Sequence, residues 1–259
     1  MLRKARWSKN PDPWYAASIV GMKYSVVGIT PFLIASLALA ATPVSETTLP
    51  NETLRYNVNW PSGLSLGEAT LTASSSAGAL NGQDSPHMHF EFDLDAGVPG
   101  FTVSDHFHSA ASGSFCSAEF RKITSQGSKH VDDKETFDPS TGTVTRGAGA
   151  GKSEIDANTC GKDALTFLYF VRRELSQGRI PARQTVFFGA PYEIRLESTG
   201  TESVKIASKP VEAEHVKASV DGPSSSISFD LYFLQDKART LALVRVPLAM
   251  GTFSMELAK

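Results

Sequence analysis

Two pairs of histidines are the residues of this chain whose types and spacing best suit chemistry. His87 and His89 form one H-x-H pair, and His106 and His108 form a second. Residues i and i+2 of a β-strand lie on the same face, so two paired strands can bring four imidazoles together. Because Zn²⁺ binds three or four nitrogen or oxygen ligands, this spacing predicts a zinc site as one interpretation.

The competing interpretation is that the four histidines lie on solvated strand faces. His87 and His89 alternate with the apolar Met88 and Phe90, which are typical core residues. Short motifs of this kind also occur by chance. In this interpretation the sequence implies no cofactor, and the zinc-dependent enzyme is only a third alternative for function.

Carboxylates form a second candidate group. Glu91, Asp93 and Asp95 share one strand face, and paired carboxylates can hydrolyse glycosides. No aromatic sugar platform lies near them in the sequence, so we interpret them as solvated. Asp132 and Asp133 are adjacent and must point to opposite faces of a strand.

The common catalytic motifs are missing from the sequence. It contains no G-x-S-x-G, H-E-x-x-H, P-loop or G-x-G-x-x-G pattern. The Gly/Ala tract at residues 147–151 lacks the context of a P-loop, and we interpret it as a flexible loop. These observations favour a protein that is not an enzyme.

Strands must position most of these side chains. Leu54, Tyr56 and Val58 alternate with polar residues, and Met88 to Leu94 repeat this pattern strictly. About a dozen such segments run to the C-terminus, with a break predicted between 198 and 203. We predict a mainly β fold in which one large antiparallel sheet curls into a barrel or half-barrel and removes exposed edges.

One helix interrupts the strands. Asp163 is a candidate N-cap, apolar residues follow at helical spacing, and Gly178 marks the end. We predict that this helix lies across the mouth of the curved sheet. Arg172 and Arg173 in its second half either bind an anionic head group or, as we favour, offset the helix dipole and meet surface carboxylates.

Cys116 and Cys160 are the two cysteines of the chain. In an exported protein they admit one intramolecular disulfide, which we predict, although both thiols can also be free and buried. The chain-entropy estimate for such a bond is about 3–4 kcal/mol.

The N-terminal region resembles a secretory leader. Lys23 precedes an apolar run, and residues 38–40 form an A-x-A cleavage site. We predict that residues 1–40 are a signal peptide, with Met22 as a candidate true start. The alternatives are a long basic n-region and an uncleaved anchor, which would be the domain's sole membrane contact. The apolar run, interrupted by Pro31, is shorter than the roughly 20 residues that a spanning helix needs.

The charge and length of the rest of the chain limit its possible partners and its domain organisation. Without residues 1–40 it has 20 Lys and Arg against 26 Asp and Glu, which argues against nucleic acid as a partner. Residues 41–52 are polar with two prolines and are predicted to be a flexible linker. Residues 53–259 show no repeat and no change of composition, so we predict a single β-rich domain.

A series of weak motifs resembles one known family. The segments are residues 54–60 and 67–71, 103–109, 136–138, 163–172 and the last hairpin, 229–257. In this order they resemble the DUF3108 family of bacterial envelope proteins of unknown function. The resemblance implies an exported, periplasmic β-rich domain and no catalytic residues. One departure is residues 233–235, where the family pattern has a Trp.

Two functions remain after these exclusions. The first is a non-enzymatic envelope domain that binds an apolar or lipid-like ligand inside the curled sheet, with the helix as a lid. The second is an envelope scaffold that binds other proteins through strand edges or the linker. Small interior residues such as Ala69 and Ala73 favour a cavity, whereas an interior filled by Phe and Leu favours the scaffold.

Overall fold

The fold is known from a computed structural model, which describes residues 51–76, 79–80, 83–84, 87–98, 100–148, 151–249 and 251–258. The predicted leader and residues 41–50 of the predicted linker lie outside this part of the chain. Within it no helix is both long and apolar enough to cross a membrane.

The described residues form seventeen strands and one helix, in the following order. They are β1 (Glu52–Asn59), β2 (Ser65–Ser76), β3 (Ala79–Leu80), β4 (Gln83–Asp84), β5 (His87–Val98), β6 (Phe101–Ser112), β7 (Ser117–Gln126), β8 (Lys129–Asp138), β9 (Thr143–Ala148), β10 (Gly151–Asp156), β11 (Lys162–Asp163), α1 (Ala164–Ser176), β12 (Gln184–Phe187), β13 (Pro191–Ile206), β14 (Lys209–Asp221), β15 (Ser226–Leu234), β16 (Leu241–Leu248) and β17 (Gly251–Leu257).

Fifteen of these strands form one sheet. Its order is β10-β9-β8-β7-β6-β5-β2-β1-β17-β16-β15-β14-β13-β12-β11, and β3 and β4 form a separate pair. All neighbours in the large sheet are antiparallel except β11 and β12. The first and last strands of the chain therefore meet at the centre of the sheet, where β1 pairs with β17.

The sheet curls until its two ends approach each other. The β12–β13 turn belongs to one end of the strand order, yet the Gly189 N–H donates to Glu135 Oε1 of β8 at 2.8 Å. The Lys122 Nζ of β7 donates to the Phe188 carbonyl at 3.4 Å. Side-chain contacts rather than a ladder of hydrogen bonds close this gap, which confirms the predicted half-barrel with one packed helix.

The helix lies across one end of the half-barrel. Asp163 before α1 contacts β6 and β7, while Arg172 in its second half contacts the start of β1 and the β15–β16 loop. We call this the helix end. Because successive turns of an antiparallel sheet alternate between its ends, the β1–β2, β5–β6, β14–β15 and β16–β17 turns lie together at the other end, which we call the open end.

The structure corrects several predicted boundaries. β1 begins at Glu52, inside the predicted linker, and β2 extends to Ser76 into a predicted loop. Gly147, Ala148 and Gly151 of the Gly/Ala tract belong to the paired strands β9 and β10 rather than to a free loop. The break predicted between 198 and 203 is a bulge in the continuous β13, where Gly200 has a φ of 106°. A bulge disturbs the alternation of side chains without ending the strand.

The long β13–β14 hairpin also creates a small core outside the half-barrel. Val204, Ala213, Tyr232 and Leu243 are buried together there. The tip of the hairpin is attached to β17, because the Ala207 N–H donates to Glu256 Oε1 at 2.7 Å. Both faces of the sheet are therefore covered at this point.

The structure joins Cys116 and Cys160 in a disulfide, across a sequence separation of 44 residues. The bond connects the β6–β7 turn to the segment before β11 and α1. It therefore attaches the start of the helix to the sheet strands that the helix crosses.

Candidate functional site

An apolar cavity of about 270 Å³ lies between the concave face of the sheet and α1. We call it the apolar cavity, and every side chain that lines it in the described part of the chain is apolar. Ala164, Leu165, Phe167, Leu168 and Val171 of the helix form its floor. Its walls come from strands on both sides of the central β1–β17 pair, so no single stretch of sequence contains the site.

The cavity opens away from the helix. Along β15, Leu231 is 8% exposed, Phe229 is half-buried and Ile227 is 37% exposed. Along β13, Leu196 is buried and Ile194 is half-buried. These residues alternate on one strand face, so the loss of burial traces a path from the floor of the cavity to the open end.

Apolar side chains continue beyond the mouth of the cavity. Val98, Phe101, Ile227 and Leu248 are exposed at hairpin turns of the open end, together with Leu64. We call these five residues the apolar rim. The first four extend the inward-facing rows of β5, β6, β15 and β16, as the strand registers show. Scattered exposed apolar residues are normal, but a group at one end of a fold marks an interaction site.

Asp163 anchors the floor of the cavity. Its carboxylate is fully buried and accepts hydrogen bonds from the Leu165 and Thr166 N–H groups at 2.9 and 3.0 Å. The hydroxyls of Ser109, Ser117 and Thr166 also donate to it. Burial raises the pKa of Asp163 and these donors lower it. The predicted N-cap thus also fastens α1 to β6 and β7.

Arg172 fastens the other half of the helix. Its guanidinium is 1% exposed and forms a bidentate ion pair with Glu52 of β1. Its Nε donates to the Ala238 and Arg239 carbonyls at 3.1 and 3.0 Å. The prediction that Arg172 meets surface carboxylates is therefore wrong, because the curled sheet encloses this part of the helix. Arg173 is less buried and pairs with Glu174.

A second pocket of about 230 Å³ adjoins the apolar cavity. We call it the polar pocket. Phe107 and Phe188 line both spaces, while Asp105, Lys122, Thr124, Gln126 and Lys129 supply polar groups. Burial disfavours the charged form of both groups. It is therefore the main cause of the lowered pKa of Lys122 and of the raised pKa of Asp105.

Behind the polar pocket lies a buried carboxyl group of β8. Glu135 is 1% exposed, and its Oε2 has no hydrogen-bond partner among the described residues. Its neighbour on the same strand face, Asp133, is paired with Arg146 at 2.6 Å. Burial raises the pKa of Glu135 to about 7, while the Gly189 N–H works in the opposite direction.

Glu135 is expected to make the protein less stable as the pH rises from about 4.5 to about 7. In this range the native state holds a proton that the unfolded state has lost, so the free energy of unfolding falls with pH. The raised pKa corresponds to a loss on the order of 3 kcal/mol, complete only above pH 7. Urea unfolding at pH 5 and pH 8 measures this loss, and Glu135→Gln is expected to remove it.

The matched control is Glu91→Gln, the same chemical change at an exposed position on the outer face. It is expected to keep the wild-type difference between the two pH values. A Glu135→Gln protein that still loses the full amount would contradict the assignment.

The structure places the four predicted zinc ligands in a row on the outer face of β5 and β6. The rings of His87 and His89 are 5.0 Å apart, and those of His89 and His108 are 5.8 Å apart. His106 instead pairs with Asp93 across the strands. In the part of the chain that is described, no group of three His, Cys, Asp or Glu side chains is placed to hold a metal ion.

The other predicted candidates also lie on the outer face. Glu91 and Asp95 are exposed and Asp93 is occupied by His106. Asp132 and Asp133 do point to opposite faces: Asp132 binds Arg121 outside, whereas Asp133 is buried inside. The histidines and the carboxylates other than Asp133 are thus separated by the sheet from the apolar cavity.

Sequence reasoning missed Lys122, Glu135 and the partner of Arg172. One signal was present, because Lys122 and Glu135 share strand faces with Phe120 and Phe137. A charged residue in an apolar row of a strand indicates a buried polar site. Glu52 carried no such signal, since it precedes the recognisable alternation.

Known proteins resemble this chain in sequence family and in fold. A family model described as "Protein of unknown function (DUF3108)" matches residues 55–258. Among solved structures, a β-barrel-like protein of domain of unknown function DUF1849 from Brucella abortus is similar, with a TM-score of 0.55 and 12% identity over 82% of this chain and 97% of that chain. No curated protein matches the sequence. At this identity the structural likeness concerns the fold alone.

Proposed function

The chain belongs to the DUF3108 family of proteins of unknown function, and we propose that its domain is a non-enzymatic binding protein for an apolar, lipid-like molecule. The observation that carries the proposal is the apolar cavity, which no polar side chain of the described residues lines. Its volume is close to the lower limit of pockets that hold small ligands, which suits one alkyl chain better than two.

The apolar rim supports the same function. A lipid-like ligand needs an apolar path into the protein, and the rim continues the inner rows of the sheet from the cavity to the open end. The anchored helix closes the opposite end, so the ligand enters the cavity through the open end. Neither the histidines nor the outer carboxylates take part.

The proposal places this domain outside the cytoplasm, in the bacterial periplasm. The leader-like residues 22–40 and the Cys116–Cys160 disulfide support this location, since such bonds persist in oxidising compartments. The function needs no nucleic acid and no metal ion, and the ligand's source is the cell envelope.

Ala218→Phe tests the proposal by filling the apolar cavity. Ala218 lines the cavity and is 1% exposed, so a phenyl ring there occupies the volume of the ligand. The protein, exported with its own leader and purified without reductant, is titrated with the uncharged fluorescent probe N-phenyl-1-naphthylamine. We expect the wild type to bind one probe and Ala218→Phe to bind it at least about tenfold more weakly, a loss of ~1.4 kcal/mol.

Ala182→Phe is the matched control, because it makes the same change at an exposed loop position outside the cavity. Overpacking can also unfold a protein, so Phe229→Asp at the half-buried mouth provides a second variant that weakens probe binding by charge. Wild-type protein that does not bind the probe, or equal binding by all variants, would overturn the proposal.

A further inference from the structure

We propose that the apolar cavity and the polar pocket form one site for a single-chain amphiphile whose anionic head group, a carboxylate or a phosphate monoester, pairs with Lys122. This inference rests on the proposed function and adds the chemical class of the ligand. It assigns the alkyl chain to the apolar cavity and the head group to the polar pocket.

The two spaces adjoin at a pair of aromatic rings. Phe107 and Phe188 line both, with their ring centroids 5.1 Å apart in an edge-to-face arrangement. Apolar side chains surround one side of this boundary, and charged or polar side chains lie on the other. A molecule that spans the boundary must therefore be apolar at one end and polar at the other.

Lys122 stands at this boundary without a direct ion pair, although Asp133, Glu135 and Asp105 act on its charge from a longer distance. Its Nζ lies 4.4 Å from the centroid of the Phe188 ring and donates to the Phe188 carbonyl at 3.4 Å. Among the described residues no carboxylate oxygen lies within ion-pair distance of this Nζ. The nearby Asp133 carboxylate instead forms its ion pair with Arg146. A partly buried ammonium without an anion is costly, and an anionic head group offsets that cost.

The carboxyl groups around Lys122 are compatible with an anion. Glu135, with its pKa near 7, is largely protonated below neutral pH. Asp105 also lines the polar pocket, and its buried Oδ1 has no partner among the described residues. Burial raises its pKa, and its Oδ1 can accept a hydrogen bond from a head-group hydroxyl. Lys129 adds a second positive charge to the same pocket.

The test compares ligands with the same chain and different heads. Dodecanoate, dodecyl phosphate and 1-dodecanol compete with bound N-phenyl-1-naphthylamine at pH 6, where Glu135 is largely protonated. We expect at least one of the two anions to bind the wild type about tenfold more tightly than the alcohol. In Lys122→Met and Lys122→Gln, affinity for that anion is expected to fall about tenfold, with the alcohol unchanged.

Lys134→Met is the matched control, because it removes a lysine from the outer face of β8, where Lys134 pairs with Glu119. It is expected to leave all three affinities unchanged. The anion that binds more tightly identifies the head group as carboxylate or phosphate.

Failure of the head-group inference can be distinguished from failure of the proposed function. If the anions and the alcohol bind equally and neither Lys122 variant changes this, the head-group inference is wrong while the apolar site stands. If the probe does not bind at all, the proposed function itself is wrong.

Discussion

Replacing Arg172 by methionine is expected to lower the free energy of unfolding by about 3–5 kcal/mol. The change leaves the Glu52 carboxylate without its cation where the surrounding protein replaces water, and two backbone carbonyls lose their donor. Methionine keeps much of the packing volume, so the loss reports the charge and the hydrogen bonds. Urea unfolding followed by circular dichroism measures it.

Arg121→Met is the matched control for this prediction. Arg121 forms the same bidentate pair with Asp132, but the two side chains are 50% and 45% exposed. Exposed pairs contribute little to stability, so we expect a much smaller loss than for Arg172→Met. Adding Glu52→Gln to Arg172→Met is expected to recover part of the stability. Equal losses from the buried and the exposed arginine would contradict this account.

Asp163→Ala is the second change with a large expected effect, a loss of at least about 3 kcal/mol. It removes the N-cap of α1 and leaves buried hydroxyl and N–H donors without an acceptor, each of which costs about 1–3 kcal/mol. Because these bonds hold the floor of the apolar cavity on β6 and β7, probe binding is expected to weaken with stability. Thermal unfolding and probe titration on the same sample measure both.

Asp138→Ala provides the comparison. The Asp138 carboxylate also accepts a hydrogen bond from a backbone N–H, that of Ser140 at 2.8 Å, but in an exposed turn. Water can replace the carboxylate there, so we expect a much smaller loss than for Asp163→Ala. Asp163→Asn, which retains one acceptor oxygen, is expected to lie between the two alanine variants. An Asp163→Ala protein as stable as Asp138→Ala would show that the helix is held mainly by its apolar face.

Local pattern predicted the strands and the helix well. The strict alternation of Met88, Phe90, Phe92 and Leu94 corresponds to the inner face of β5, and α1 begins after Asp163 and ends before Gly178. These features depend on side-chain period and on backbone groups within a few residues. The predicted family and half-barrel are confirmed for the same reason, since both follow from the order of such segments.

The local sequence pattern gave wrong predictions where strands distant in sequence determine the environment of a side chain. The position of Arg172 in the second half of the helix predicts contacts with surface carboxylates, yet its partner is Glu52, 120 residues away, at a place that the curled sheet encloses. The histidines alternate correctly, but the register pairs His108 with Glu91 and His106 with Asp93, so the imidazoles form a row instead of converging.

The period of the side chains along the sequence predicts most of the strands, the start and end of the helix, and the apolar side of each predicted strand. Only the tertiary structure decided that the apolar sides enclose a space instead of filling it. That outcome depends on the curvature of the sheet, which places Phe188 of the β12–β13 turn against Phe107 of β6 and leaves Lys122 between an apolar cavity and a polar pocket. Curvature is the sum of small twists along fifteen strands, and no local pattern of residues encodes it.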